Sequence, residues 1–177
     1  MGLDMYLKAE RYVSNFMQDD TPFYQELVNA VRRNTAATIP DYTSGMQSMT
    51  ISVQLVYWRK VNQVHRWFVE NCADGVDNCK ASQVGFDELE ELVGNCHSIL
   101  LSRDMVRNGE TTEGELLETC NELLPPQSGF FFGSTDIDVW YFDDLQHTYD
   151  SLTAVMKWLK AEREAGHYWD LIYQASW

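Results

Sequence analysis

Pro125-Pro126-Gln127-Ser128-Gly129-Phe130-Phe131-Phe132-Gly133-Ser134-Thr135-Asp136 separates two helical patterns, and its reading decides the fold. The paired prolines cannot continue a helix, because each lacks a backbone N–H and its ring clashes with the preceding turn. Upstream, over about residues 112–124, Leu116, Leu117, Cys120, Leu123 and Leu124 recur at helical spacing opposite Glu113, Glu118 and Glu122. Downstream, Asp136 or Asp138 is placed to cap the longest pattern, roughly 138–165. Its stripe is Tyr141, Leu145, Thr148, Leu152, Val155, Met156 and Leu159. Gly166 ends it, and 167–177 returns as a strand with Trp169, Leu171 and Tyr173 on one face. Between these elements the three phenylalanines read as a short buried strand entering a capped helix.

Toward the N-terminus, residues 2–8 alternate, with Leu3, Met5 and Leu7 on one face of a half-buried strand. A polar segment around Asp19 and Asp20 precedes a short peripheral helix, with Thr21 as its cap, Pro22 at its first position, and Phe23, Leu27 and Val31 as its stripe. Residues 35–48 read as a loop. A central strand is expected over 49–57, where Ile51, Val53, Leu55 and Tyr57 alternate with Ser52, Gln54 and Val56. A helix then runs from Trp58 to near Cys72. On a wheel at about 100° per residue, Trp58, Val61, His65, Phe68, Val69 and Cys72 share one face, with Asn62 just inside it. Lys60, Gln63 and Trp67 point away. Phe86, Leu89, Leu92, Val93, Cys96, Ile99 and Leu100 mark another helix, in which Gly94 suggests a close helix crossing. The expectation is a single α+β domain over 1–177: a small, mostly antiparallel sheet of N-terminal, central and C-terminal strands packed with about four main helices.

Composition narrows the function classes. Twenty-seven acidic against thirteen basic side chains give a net charge of −14, which opposes direct binding to a nucleic-acid backbone. The same balance suits a partner with a basic surface. No apolar run is long enough to span a bilayer, and no basic region followed by an apolar stretch opens the chain, so a cytoplasmic setting is expected. The cysteines at 72, 79, 96 and 120 form no Cys-x-x-Cys pair and are expected as thiols, without metal or cofactor.

Three blocks carry a resemblance: Met1-Gly2-Leu3-Asp4-Met5-Tyr6-Leu7; Tyr57-Trp58-Arg59-Lys60 with His65 and Trp67-Phe68-Val69; and Leu123-Leu124-Pro125 with residues 127–135. In these the chain resembles an uncharacterised family of small bacteriophage and bacterial proteins. The resemblance implies that 14–48 is a family-variable insertion. It also implies a phage setting, in the cytoplasm of the bacterial host cell, and by association a role against host defence. It brings no catalytic residues.

Three functional expectations follow. The first is a non-enzymatic, anti-CRISPR-like inhibitor that binds a host defence protein, such as a nucleic-acid-binding effector, through acidic ridges at Glu88, Glu91, Glu113 and Glu118. The second is a small-ligand binder or signalling-nucleotide sponge using Arg59, Asn62, His65, Gln127, Ser128, Ser134 and Tyr141, where glycines permit close backbone approach and a helix N-terminus offers N–H groups. His65 and Asn62 are either core hydrogen-bonders or members of that site. The third is a metal-assisted hydrolase built on Asp136, Asp138, Asp143 and Asp144. Neither standard phosphate-binding glycine motif, nor a His-Glu-x-x-His or Gly-x-Ser-x-Gly motif, is present.

Overall fold

The structure is a computed structural model that describes residues 2–14, 16, 21–34 and 48–177. Among these residues, five helices and four strands follow the order β1 (Asp4–Ser14), α1 (Thr21–Asn34), β2 (Ser48–Arg59), α2 (Asn62–Cys72), β3 (Ser82–Val84), α3 (Phe86–Arg107), α4 (Glu113–Leu123), α5 (Val139–Glu164) and β4 (Asp170–Ser176). The strands form one antiparallel sheet in the order β2-β1-β4-β3, an α+β fold as expected. The polar segment around Asp19 and Asp20, the loop at 35–47 and the capping role expected of Thr21 lie outside the described residues.

Contacts divide the chain into two compact units, Met1–Ala9 with Gln54–Trp177, and Glu10–Val53. The bounds of the smaller unit enclose the 14–48 segment. In it α1 buries Tyr24 and Val28, whereas Phe23 is exposed beneath the guanidinium of Arg11, 5.6 Å from the ring centre. The buried stripe is thus offset by one residue from the expected Phe23-Leu27-Val31.

In the larger unit, Leu3, Met5, Leu7 and Ala9 are fully buried, the alternation expected of the first strand. β2 departs from expectation. Its core face carries Val56 and Trp58, while Val53 and Tyr57 are exposed, and the strand continues through Trp58 to Arg59. The face of Ser52 and Gln54 turns apolar at Val56 and Trp58, so alternation over the first half of the strand marks the opposite face. α2 therefore begins at Asn62 rather than Trp58. Gln63 and Trp67, expected to face away, are buried together with Asn62, Val64, His65, Phe68 and Val69. A helix covered on nearly every side has no solvent face for its sequence pattern to mark. Phe68 stacks on Tyr173 of β4 with ring centres 4.1 Å apart, and Phe132 meets the His65 ring edge-on at 5.1 Å.

α3 packs against both α4 and α5. α4 starts with a capping box, in which Thr112 Oγ1 accepts from the Glu115 N–H and the Glu115 carboxylate accepts from the Thr112 N–H. α5 is capped by Asp138, whose Oδ1 accepts from the N–H groups of Trp140 and Tyr141. The expected stripe from Tyr141 to Met156 is buried. Residues 130–132 form a turn, not a strand: the Phe132 N–H donates to the Gly129 carbonyl at 3.2 Å. A Cβ on Gly129 would lie 2.6 Å from the Phe132 ring, which closes the turn to larger residues.

Gly94 also departs from expectation. Within α3, a Cβ at this position would meet nothing within 4 Å among the described residues, so no helix crossing there requires it. Gly94→Ala should stabilise the protein by about 0.5–1 kcal/mol by reducing unfolded-chain entropy. The check is a higher urea midpoint with an unchanged slope; an unchanged or lower midpoint contradicts it.

Candidate functional site

Asn62 organises the region. Its Nδ2 donates to the carbonyls of Phe132 at 3.2 Å and Ser134 at 2.7 Å, and its Oδ1 accepts from the Gln127 N–H at 2.8 Å. One buried amide thereby holds both ends of the 127–134 loop. Two further bonds join the loop to the sheet and to the corner before α2: the Leu3 N–H donates to the Phe131 carbonyl at 3.1 Å, and the Lys60 N–H donates to the Leu3 carbonyl at 2.8 Å. The three sequence blocks set out above are therefore joined by hydrogen bonds through Leu3. At that corner Lys60 adopts a left-handed φ of 62°, and Gly133 opposite it has φ 93°. A Cβ on Gly133 would lie 3.2 Å from Lys60 Cβ.

Beside this clip lies a cleft of about 260 Å³ between the β2–α2 corner and the first two turns of α5. Arg59, Lys60 and Gln63 form one wall, and Asp136, Asp138 and Asp144 contribute to the other. Trp140 borders it with 71% of its surface exposed. Gln63 is only 3% exposed, yet its Nε2 has no hydrogen-bond partner among the described residues. An unpaired buried amide costs about 1–3 kcal/mol, so this N–H group is a buried donor without an acceptor on a residue that lines the cleft. The Asp144 backbone is fixed from the core: Trp58 Nε1 donates to Thr148 Oγ1 at 3.0 Å, and Thr148 Oγ1 donates to the Asp144 carbonyl at 2.7 Å. Burial pushes the Asp144 carboxyl up to about 6, opposed by His147 and helped by the charges of Asp143 and Asp138.

Of the residues expected to bind a ligand, Arg59, Asn62, Ser134 and Tyr141 line this cleft. The buried Tyr141 hydroxyl donates to the Leu124 carbonyl at 2.9 Å, and burial raises its pKa. Gln127 gives its backbone N–H to Asn62, while its Oε1 is buried without a partner among the described residues. Ser128 is exposed and does not line the cleft.

His65 is directed elsewhere. It is 1% exposed, with Nδ1 2.7 Å from the Tyr173 hydroxyl and Nε2 3.0 Å from Asp77 Oδ2. Asp77 Oδ1 accepts from Trp177 Nε1 at 3.1 Å. Burial raises the Tyr173 pKa, so its hydroxyl keeps its proton, and both ring nitrogens of His65 are engaged by neighbours in the core. The cavity beside it is about 10 Å³, room for no more than one water. His65 is a core hydrogen-bonder, and so is Asn62, although Asn62 also borders the cleft.

Glu88 and Glu91 sit near the start of α3, and both charges reach Cys72, whose thiol is pushed up to about 12 mainly by burial. Glu113 follows the opposite end of α3. Glu113 and Glu118 lie on α4, which packs against α3. Among the described residues no three His, Cys, Asp or Glu side chains converge as metal ligands, and the four cysteines are free. A larger cavity of about 320 Å³ lies between the start of α3 and the end of α5. Of its polar groups, His167 Nδ1 and Trp169 Nε1 both meet Glu162 Oε2, and Lys160 lies 5.2 Å from the Phe86 ring centre.

Sequence reasoning placed neither Gln63 nor Lys60 at a ligand site, and it assigned Asp144, with Asp136 and Asp138, to a metal-assisted hydrolase rather than to a cleft beside Arg59 and Asn62. Asp144 was legible as the residue one turn beyond Tyr141 on the same face. Gln63 was not, because its burial depends on elements distant in sequence.

Asp144 makes stability pH-dependent with a defined sign. Its carboxyl ionises near 3.8 unfolded and near 6 folded, so the folded state binds more protons between those values, and stability falls as pH rises through that window. Asp144→Asn should stabilise the protein by on the order of 2 kcal/mol at pH 7 and by almost nothing below about pH 4. Paired urea titrations across this range test it; a constant difference would refute the assignment.

The chain matches no family model, no curated protein and no solved structure.

Proposed function

We propose that the chain is a small-ligand-binding protein whose site is the cleft between Arg59-Lys60-Gln63 and the first turns of α5. The observation that carries this reading is the Gln63 amide, buried with a donor unpaired among the described residues, at the wall of a cavity of ligand size. Buried polar groups in folded proteins are nearly always paired, and a bound ligand with an acceptor supplies the partner. The exposed Trp140 ring offers a stacking surface at the same cleft. In a thermal-shift screen of amino acids, nucleosides, nucleotides and sugars, at least one compound should raise the melting midpoint by several degrees. The shift should disappear in Gln63→Met, which keeps the side chain's length and removes the unpaired amide. A screen with no such compound, or one that shifts both proteins equally, refutes the site.

A second reading is a counter-defence inhibitor of a host protein with a basic surface. It is favoured by the net charge of −14 and by Phe130, which stands 95% exposed on the loop clipped by Asn62. A rigidly presented aromatic is a common anchor of a protein interface. Its phage setting rests on the three resembling sequence blocks. On this reading a basic host protein co-purifies stoichiometrically with the wild-type chain, is released by salt and is lost with Phe130→Ser. Equal recovery by both chains, or no recovery, counts against it.

A further inference from the structure

We infer that the cleft takes a dipolar small molecule, with an anionic or acceptor end toward Arg59, Lys60 and Gln63 and a cationic N–H-bearing end toward Asp136, Asp138 and Asp144. This deepens the ligand-binding reading and rests on it. The polarity of the walls carries the inference. Every charge lining the β2–α2 side of the cleft is positive, and Gln63, whose buried Nε2 has no partner among the described residues, lines the same side. Every charge lining the α5 side is a carboxylate.

These groups are not equally free. Arg59 is shared with Asp4 at 3.8 Å. Asp138 is committed to the cap of α5, and Asp136 accepts from the Ser134 hydroxyl at 2.8 Å. On the α5 side Asp144 is the best placed to receive a ligand donor, since it is not committed to a cap or a hydroxyl and a cation beside it would offset the burial that disfavours its charge. Two cations face three carboxylates, so a nucleotide phosphate or another wholly anionic ligand meets net repulsion. A wholly cationic ligand leaves Gln63 unpaired and sets its charge against Arg59 and Lys60. A molecule with both ends satisfies both walls. The exposed indole of Trp140 favours a planar cation such as a guanidinium, which stacks on an aromatic face.

The experiment is calorimetric titration at pH 7 with three probes: free arginine, which carries both ends; agmatine, which lacks the carboxylate; and AMP, which supplies a phosphate. Arginine should bind at least tenfold more tightly than either of the others. Gln63→Met and Asp144→Asn should each weaken arginine by about tenfold with unchanged circular dichroism. Agmatine binding as tightly as arginine overturns the inference, because the acceptor-seeking wall would contribute nothing. AMP binding most tightly overturns it in favour of an anion site. If none of the three binds while the thermal-shift screen yields a Gln63-dependent compound, the dipolar assignment fails and the ligand site stands. If the screen is also empty, both fail.

Discussion

Much of the larger unit depends on the side-chain amide of Asn62. A single buried group satisfies two carbonyls and one N–H of a loop that would otherwise enclose unpaired backbone. Each such group left unpaired costs about 1–3 kcal/mol, and a domain's whole stability is about 5–15 kcal/mol. Fixing this loop sets where Phe132 meets His65, where the Phe131 carbonyl receives Leu3, and where the backbone enters the Asp138 cap. The cleft inherits its rigidity from that arrangement, since the corner holding Arg59 and Lys60 and the segment holding Ser134 and Asp136 are tied through one amide. A preorganised wall lowers the ordering cost of any ligand bound against it.

What the sequence revealed and what it concealed follow from how locally each feature is determined. The first half of β1, the start of α4 and the whole of α5 were legible because each writes its own period or cap within a few residues, whereas β1 runs on to Ser14, past the expected end at residue 8. The core face of β2 was concealed because Ser52 and Gln54 share it with the buried Val56 and Trp58, and the start of α2 by Trp58, whose ring fits a helical wheel as well as a strand. β3, at three residues, is too short for any period to emerge. The burial of Gln63 and Trp67 follows from α2 being enclosed by other elements. That enclosure is a tertiary fact that no window of α2 contains.

The site divides in the same way. Arg59, Asn62, Ser134 and Tyr141 were found because the glycine-rich segment and the edge of the helix wheel draw attention to them. His65 was drawn in by the same wheel, but its ring nitrogens are used up by Tyr173 and Asp77 in the core. A histidine on a buried face reads alike in sequence whether its partners are protein groups or a ligand. Only the count of hydrogen bonds separates the two cases.

The meeting of Lys60 and Gly133 has an evolutionary consequence. Both backbones have positive φ, and Lys60 fills the space that a side chain at 133 would need. A drifting sequence could not replace Gly133 without also moving the Lys60 corner, and with it the Leu3 and Asn62 bonds on either side. Positions 60 and 133 should therefore change together or not at all in descendants of this chain. That joint record would reveal the contact even where the rest of the sequence had become unrecognisable.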